Sequence, residues 1–229
     1  DKLTFPMVYA FDERFILPFS HDEMVHGKRS LIGRMNGTYD ERFAQLRLLY
    51  AYQYTHPGKK LLFMGGEFAQ FIEWDFRKPL DWFLLDYPRH MEMQSFVKAL
   101  NELYSSTPAL YGCDTGWDGF EWVSVDDRER GIIAYIRTGL DDGERVMCVL
   151  NFTALPAESY RLRLNKPAGF TRLLSTSEER FGGWDREQDR TVLSSMDEFG
   201  CFVDISIGGY EGAVWRMDID GGTYAAKSR

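Results

Sequence analysis

Three ionisable side chains, His21, Asp22 and Glu67, stand where a chain of this kind could do chemistry. Each follows a short apolar run, residues 15–19 for the first two and 60–64 for the third, and each run reads as a buried parallel strand ending in polar groups. Polar groups at the C-terminal ends of parallel strands line one shared mouth, where barrel enzymes place their active sites. The same letters admit a plainer reading. Ser20 and Glu23 have capping-box spacing, so Ser-His-Asp-Glu equally describes a helix start with His21 a solvated bystander. Spacing alone leaves both open.

Other chemistries find less support. His21 and His26 are five positions apart, not the four that sets two imidazoles on one helical face for a metal. No serine sits in a nucleophile-elbow context, and no cysteine pairs obviously with a histidine. Gly65-Gly66 lacks the glycine and lysine spacing of a phosphate loop and reads as a tight turn.

The elements that must position these residues follow from pattern. Thr38 and Glu41 form a capping-box pair, Phe43, Leu46, Leu49 and Tyr50 recur at helical spacing, and Pro57-Gly58 ends the helix. Strand, helix and strand over residues 15–64 make a parallel crossover unit, continued by a helix over 91–106 with Phe96, Leu100 and Leu103 on one side. Beyond about Tyr111 the texture changes to short alternating runs at 120–125, 132–137, 145–150, 160–164, 171–174, 201–207 and 213–217, with turns such as Asp126-Asp127 and Asp141-Asp142-Gly143. This predicts an antiparallel β-sandwich of about seven or eight strands without competing helix. Residues 176–197 read as a long irregular loop.

Composition narrows the partners. With 229 residues, 44% of them apolar, the chain can build one large or two modest domains. A formal net charge of -8 lacks the electrostatic term that drives attachment to nucleic acid or anionic membrane, so neither is expected as a partner. Aromatic residues make up 15% of the chain, and although most must be core, rings of this kind suit a polyhydroxyl ligand. Three cysteines, Cys113, Cys148 and Cys201, lack metal or redox spacing and point to a reduced, cytoplasmic setting. Neither a signal peptide nor a run long enough to span a bilayer is apparent.

A resemblance sharpens this reading. Phe-Ser-His-Asp-Glu-Met-Val-His-Gly-Lys, residues 19–28, resembles the segment after the seventh barrel strand in bacterial glycogen (1,4-α-glucan) branching enzymes of the α-amylase superfamily. The likeness continues through residues 57–70, Glu73-Trp74, Leu80-Asp81-Trp82, residues 119–122 and Asn151-Phe152-Thr153, and weakens in the last loops and the tail. It implies an α/β plus all-β chain: residues 1–111 as the last strands and helices of a (β/α)8 TIM-type barrel, and 112–229 as a C-terminal antiparallel β-sandwich. It implies that Asp22 binds hydroxyls of the distorted sugar and stabilises the oxocarbenium-like transition state, while His21 donates a hydrogen bond to the same sugar. Glu67 is expected to shape the pocket and Trp74 to offer a stacking surface, with a structural Trp as the alternative.

The implied reaction cuts an α-1,4 glucan segment and transfers it to a 6-hydroxyl, as in glycogen biosynthesis, with no cofactor or metal. Retaining transfer needs a nucleophilic carboxylate and an acid/base carboxyl roughly 5–5.5 Å apart, and a third acidic group can only assist. No motif for either of the first two is found here, so the chain alone is expected to be inactive and to need the missing N-terminal barrel portion as partner. The competing reading is a non-catalytic glucan-binding or regulatory remnant. Upstream carboxylates at two further strand ends would favour the enzyme.

Overall fold

The computed structural model describes residues 3–140, 144–185 and 191–219. The expected turn at Asp141-Asp142-Gly143 and residues 186–190 of the expected loop lie outside the described residues. The first half contains β1 (Ile16–Phe19), α1 (Leu31–Arg34), α2 (Tyr39–Thr55), β2 (Lys59–Leu62) and α3 (Pro88–Ser106). Among the described residues the second half holds nine strands: β3 (Phe120–Ser124), β4 (Ile132–Thr138), β5 (Arg145–Asn151), β6 (Ala157–Leu164), β7 (Gly169–Ser175), β8 (Thr191–Leu193), β9 (Ser195–Asp197), β10 (Gly200–Ile207) and β11 (Gly212–Asp218). No described helix is long and apolar enough to cross a membrane.

Helix α2 begins where its capping box predicts: the Thr38 hydroxyl accepts from the Glu41 amide, and Glu41 Oε2 takes the Thr38 amide at 2.7 Å. It stops at His56, whose extended backbone precedes Pro57. Helix α3 starts three residues earlier than predicted, because Pro88 occupies its first turn, where a missing amide hydrogen costs nothing.

β1 and β2 pair in parallel, Ile16 with Lys59 through Phe19 with Leu62. The crossover is as expected, but the burial is not. Both strands alternate between exposed and half-buried residues, and Ile16 is 58% exposed, because among the described residues each strand has only the other as a neighbour.

The β-rich half forms two antiparallel sheets, one ordered β3-β4-β5-β11-β7-β8 and the other β6-β10-β9. Two corrections apply. The stretch read as one irregular loop contains β8 and β9, whose three residues each are too few to show a period. The supposedly alternating runs at β4 and β5 are instead buried almost throughout, since the larger sheet is covered on both faces. Ala134, Met147, Val149 and Trp215 pack toward the smaller sheet, while Tyr135, Cys148, Leu150 and Val214 join the core built by α2 and α3. Short 3₁₀ turns at Trp117–Gly119 and Glu179–Phe181 are the only helical pieces described in this half.

Two buried arginines fasten the halves together. Arg137 on β4, fully buried, donates Nη1 to the Thr55 carbonyl at 2.8 Å and Nε to the Gly119 carbonyl at 3.1 Å, and pairs Nη2 with Asp114 at 2.6 Å. Arg47 on α2 donates Nε to the Thr176 carbonyl at 2.7 Å. Close approach completes the joint: a Cβ on Gly212 would lie 2.8 Å from Leu150 and 3.1 Å from Leu48 of α2. Replacing Arg137 by Ala would leave the buried Thr55 and Gly119 carbonyls without their donor and the Asp114 carboxylate with Lys59, at 3.2 Å, in place of two cations. We expect a loss of about 3–5 kcal/mol in urea unfolding, and an unchanged midpoint would refute the role.

Candidate functional site

The parallel register sets the site. Because Phe19 lies opposite Leu62, the two chains leave the sheet side by side, and the Phe63 amide still donates to the Phe19 carbonyl at 2.9 Å. His21 therefore emerges next to Phe63, with ring centroids 6.0 Å apart. Trp74, arriving on the loop after β2, sets its ring 5.1 Å from Phe63 and 6.1 Å from His21, edge-on to both. The Trp74 amide donates to the Met24 carbonyl at 2.8 Å, which holds the two strand-end loops together.

His21, Asp22 and Glu23 form one 3₁₀ turn. The capping box inferred from spacing is present: the Ser20 amide and hydroxyl donate to Glu23 Oε2 at 2.6 and 2.8 Å, and the Asp22 amide donates to Ser20 Oγ at 3.2 Å. Burial pushes the Glu23 carboxyl up, but the Ser20 hydrogen bonds outweigh it and hold the group below its ordinary 4.5. With Ser20 and Glu23 bonded to each other, His21 and Asp22 face outward, their side chains 52% and 67% exposed and 3.3 Å apart from Nε2 to Oδ1.

Glu67 sits in a 3₁₀ turn, Gly66–Phe68, entered through Gly65 at φ 85°. The turn needs glycine for this left-handed backbone and again at Gly66, where a Cβ would meet Leu62 at 2.8 Å. Glu67 lines a hollow beside the outer edge of β2 with Lys60, Leu62, Met64, Asn101 and Tyr104. The contacts thus bring His21, Asp22 and Trp74 together with Phe63, while Glu67 lines a different hollow, with residues of α2, β2 and α3.

Sequence reading missed two supports of this cluster. Glu73 accepts the amides of Gly27 at 3.0 Å and Arg29 at 2.7 Å, and Arg34 donates Nε to the Lys28 carbonyl at 2.9 Å and Nη2 to the Glu23 carbonyl. Only the adjacency of Glu73 to Trp74 in the motif hinted at the first. Nothing local marks the second.

Comparison with known proteins gives the family. Residues 122–218 match the family described as the alpha amylase C-terminal all-beta domain. Among solved structures, an Anoxybacillus pullulanase aligns over 94% of this chain and 30% of its own at TM-score 0.64 and 14% identity. An α-amylase from Geobacillus thermoleovorans aligns over 90% of this chain and 38% of its own at TM-score 0.55 and 19% identity. At such identities the likeness concerns fold alone. Among curated proteins, the 1,4-alpha-glucan branching enzyme GlgB of Saccharophagus degradans is 51% identical over 79% of this chain and 25% of its own length. The Geobacillus stearothermophilus GlgB is 47% identical over 87% of this chain and 31% of its own. The chain is a relative of the C-terminal portion of the 1,4-α-glucan branching enzymes, and it spans between a quarter and a third of the length of those two.

The cap is testable by itself. Ser20→Ala should cost about 1 kcal/mol at neutral pH. Because the folded Glu23 value is depressed, this contribution is present above 4.5 and fades as pH falls through the lower folded value. Denaturant unfolding of wild type and variant at pH 7 and at about pH 3 should therefore show the difference shrinking in acid. An equal difference at both would contradict the capping role.

Proposed function

We propose that the chain is part of a retaining glycosyltransferase that moves α-1,4 glucan segments onto 6-hydroxyls, making α-1,6 branches in glycogen biosynthesis in the cytoplasm. The observation that carries this is the outward-facing His21–Asp22 pair at the end of a parallel strand, flanked by Trp74 and supported by close similarity to branching enzymes. In this reading residues 1–111 are the closing part of a (β/α)8 barrel and 112–229 a C-terminal β-sandwich. The free edges of β1 and β2 support it. Each is flanked by a partly apolar hollow, one lined by Pro6, Tyr9, Ile16 and Pro18, the other by Leu62, Met64 and Tyr104. Parallel strands that, among the described residues, pair on one edge alone and carry exposed apolar residues call for further strands on both sides, and the occupant we propose is the rest of the same barrel.

The roles follow from charge. As the glycosidic bond breaks, positive charge develops on the sugar ring carbon and oxygen. An Asp22 carboxylate hydrogen-bonded to hydroxyls of that ring stabilises this charge more than it stabilises the bound ground state. His21, its ring centroid 6.0 Å from Phe63 and 6.1 Å from Trp74 and its side chain half exposed, is placed to donate to the same sugar. Trp74 provides an apolar surface for a sugar face, and Glu67 shapes the far side of the pocket. The covalent step belongs to a nucleophile and an acid/base for which these residues contain no matching motif. The second step differs from hydrolysis only in that a glucan 6-hydroxyl takes the place of water, and neither step needs a metal or cofactor.

Two outcomes test the proposal. In the full-length protein, Asp22→Asn should lower kcat by about a hundredfold or more with a much smaller change in KM. A loss confined to KM would mean that Asp22 only positions substrate. The 229 residues alone, mixed with amylose, should leave the iodine colour intact, and a sustained fall at enzyme-like rates would defeat the assignment of the covalent chemistry to other residues.

A further inference from the structure

Glu73 stands beside the proposed site without belonging to its chemistry. Its two carboxylate oxygens are used separately, Oε2 for the Gly27 amide at 3.0 Å and Oε1 for the Arg29 amide at 2.7 Å, across more than forty residues of sequence. Both amides belong to residues with positive φ, 84° at Gly27 and 64° at Arg29. For Arg29 that conformation is costly unless something holds it. The amides of Arg29 and Gly27, with His26 nearby, keep the Glu73 carboxyl below its ordinary 4.5. A carboxylate that takes one amide on each oxygen is a clamp on the turn.

The clamp has a counterpart of opposite sign. Arg34 holds the same loop by its carbonyls, those of Glu23 and Lys28, while Glu73 holds it by its amides. Ser30 Oγ donates to the Phe71 carbonyl at 2.8 Å, and the Trp74 amide donates to the Met24 carbonyl at 2.8 Å. The segment after His21-Asp22 and the segment carrying Trp74 are therefore laced together along residues 24–30 and 71–74. Glu73 is the only member of this lacing that bonds two amides of the strained turn, and it directly precedes the tryptophan that packs on His21.

We infer that Glu73 is a positioning residue for the His21–Asp22 site, fixing the 26–29 turn and, through the adjoining Trp74, the placement of the pair against the reacting sugar. This rests on the reading of Asp22 as the group that meets the developing charge. Geometric errors of about 1 Å at such a group can cost a hundredfold in rate, so the clamp should act on kcat, leaving ground-state binding largely intact.

The test uses the full-length protein with amylose as substrate. In Glu73→Gln one acceptor is replaced by an NH2 group facing an amide hydrogen, so exchange of the Gly27 and Arg29 amides should accelerate. The kcat should fall about tenfold or more while KM stays within about twofold. Glu73→Asp, which keeps the charge but shortens the reach, should fall between wild type and Gln. Gly27→Ala offers an independent route, since a Cβ there meets nothing within 4 Å and only the positive φ is strained; it should give the same loss in kcat. If Glu73→Gln does not fold, this variant decides the matter. Wild-type kcat in either folded variant, or a loss matched by the fall in folded fraction, overturns the inference. Asp22→Asn measured alongside separates the two levels: if it is fully active the site reading itself fails, and if it is inactive while the clamp variants are normal only the positioning role fails.

Discussion

Helix α2 packs against α1, α3 and strands β5 and β11 of the larger sheet, and two buried guanidinium groups make that packing specific. Apolar contact alone would let a helix slide or rotate between the layers that cover it. Arg137 forbids this by taking the Thr55 carbonyl near the C-terminal end of α2, the Gly119 carbonyl and the Asp114 carboxylate in one planar fork. Arg47 fixes a second point two turns earlier, on the Thr176 carbonyl beyond β7. A helix pinned at two points has one orientation relative to the large sheet. The parallel pair it connects, β1 and β2, then has one orientation too.

From that constraint the site follows by short steps. β1 and β2 leave the sheet in register, the capped turn after β1 and the glycine turn after β2 emerge as neighbours, and His21 meets Phe63 and Trp74. The two readings of Ser-His-Asp-Glu prove compatible. The cap occupies Ser20 and Glu23, and because they bond each other, the intervening histidine and aspartate are left facing outward. A cap that stiffens a turn of three residues is a good mount for groups that must meet a substrate at a fixed distance.

How much of this the letters disclosed depends on the range of the interactions. The start of α2 was legible because Thr38 and Glu41 carry their signal within four residues, and its end because Pro57-Gly58 is local as well. The strand ends bearing His21 and Glu67 were legible for the same reason. The double-sided burial of β4 was not foreseen, although Ile132-Ile133-Ala134-Tyr135-Ile136 is nearly continuous in apolar residues, because alternation elsewhere in the half suggested one wet face. β8 and β9 are too short to have a period. Arg47 and Arg137 look like any surface arginine in sequence, since their partners are the carbonyls of Thr176 and Thr55, far along the chain. Glu73 escaped notice on the same ground: a carboxylate that holds two distant amides leaves no local pattern.

The central proposal is that this pair meets a sugar ring, a reading supported by the outward orientation of His21 and Asp22 and by the similarity to GlgB sequences over most of the chain. The most direct measurement is a structure of the full-length protein with a maltooligosaccharide bound. The account predicts an Asp22 carboxylate oxygen and a His21 ring nitrogen each about 2.6–3.2 Å from hydroxyls of one and the same sugar unit, with Trp74 alongside. A sugar bound in the cleft while both side chains remain turned to solvent would contradict it.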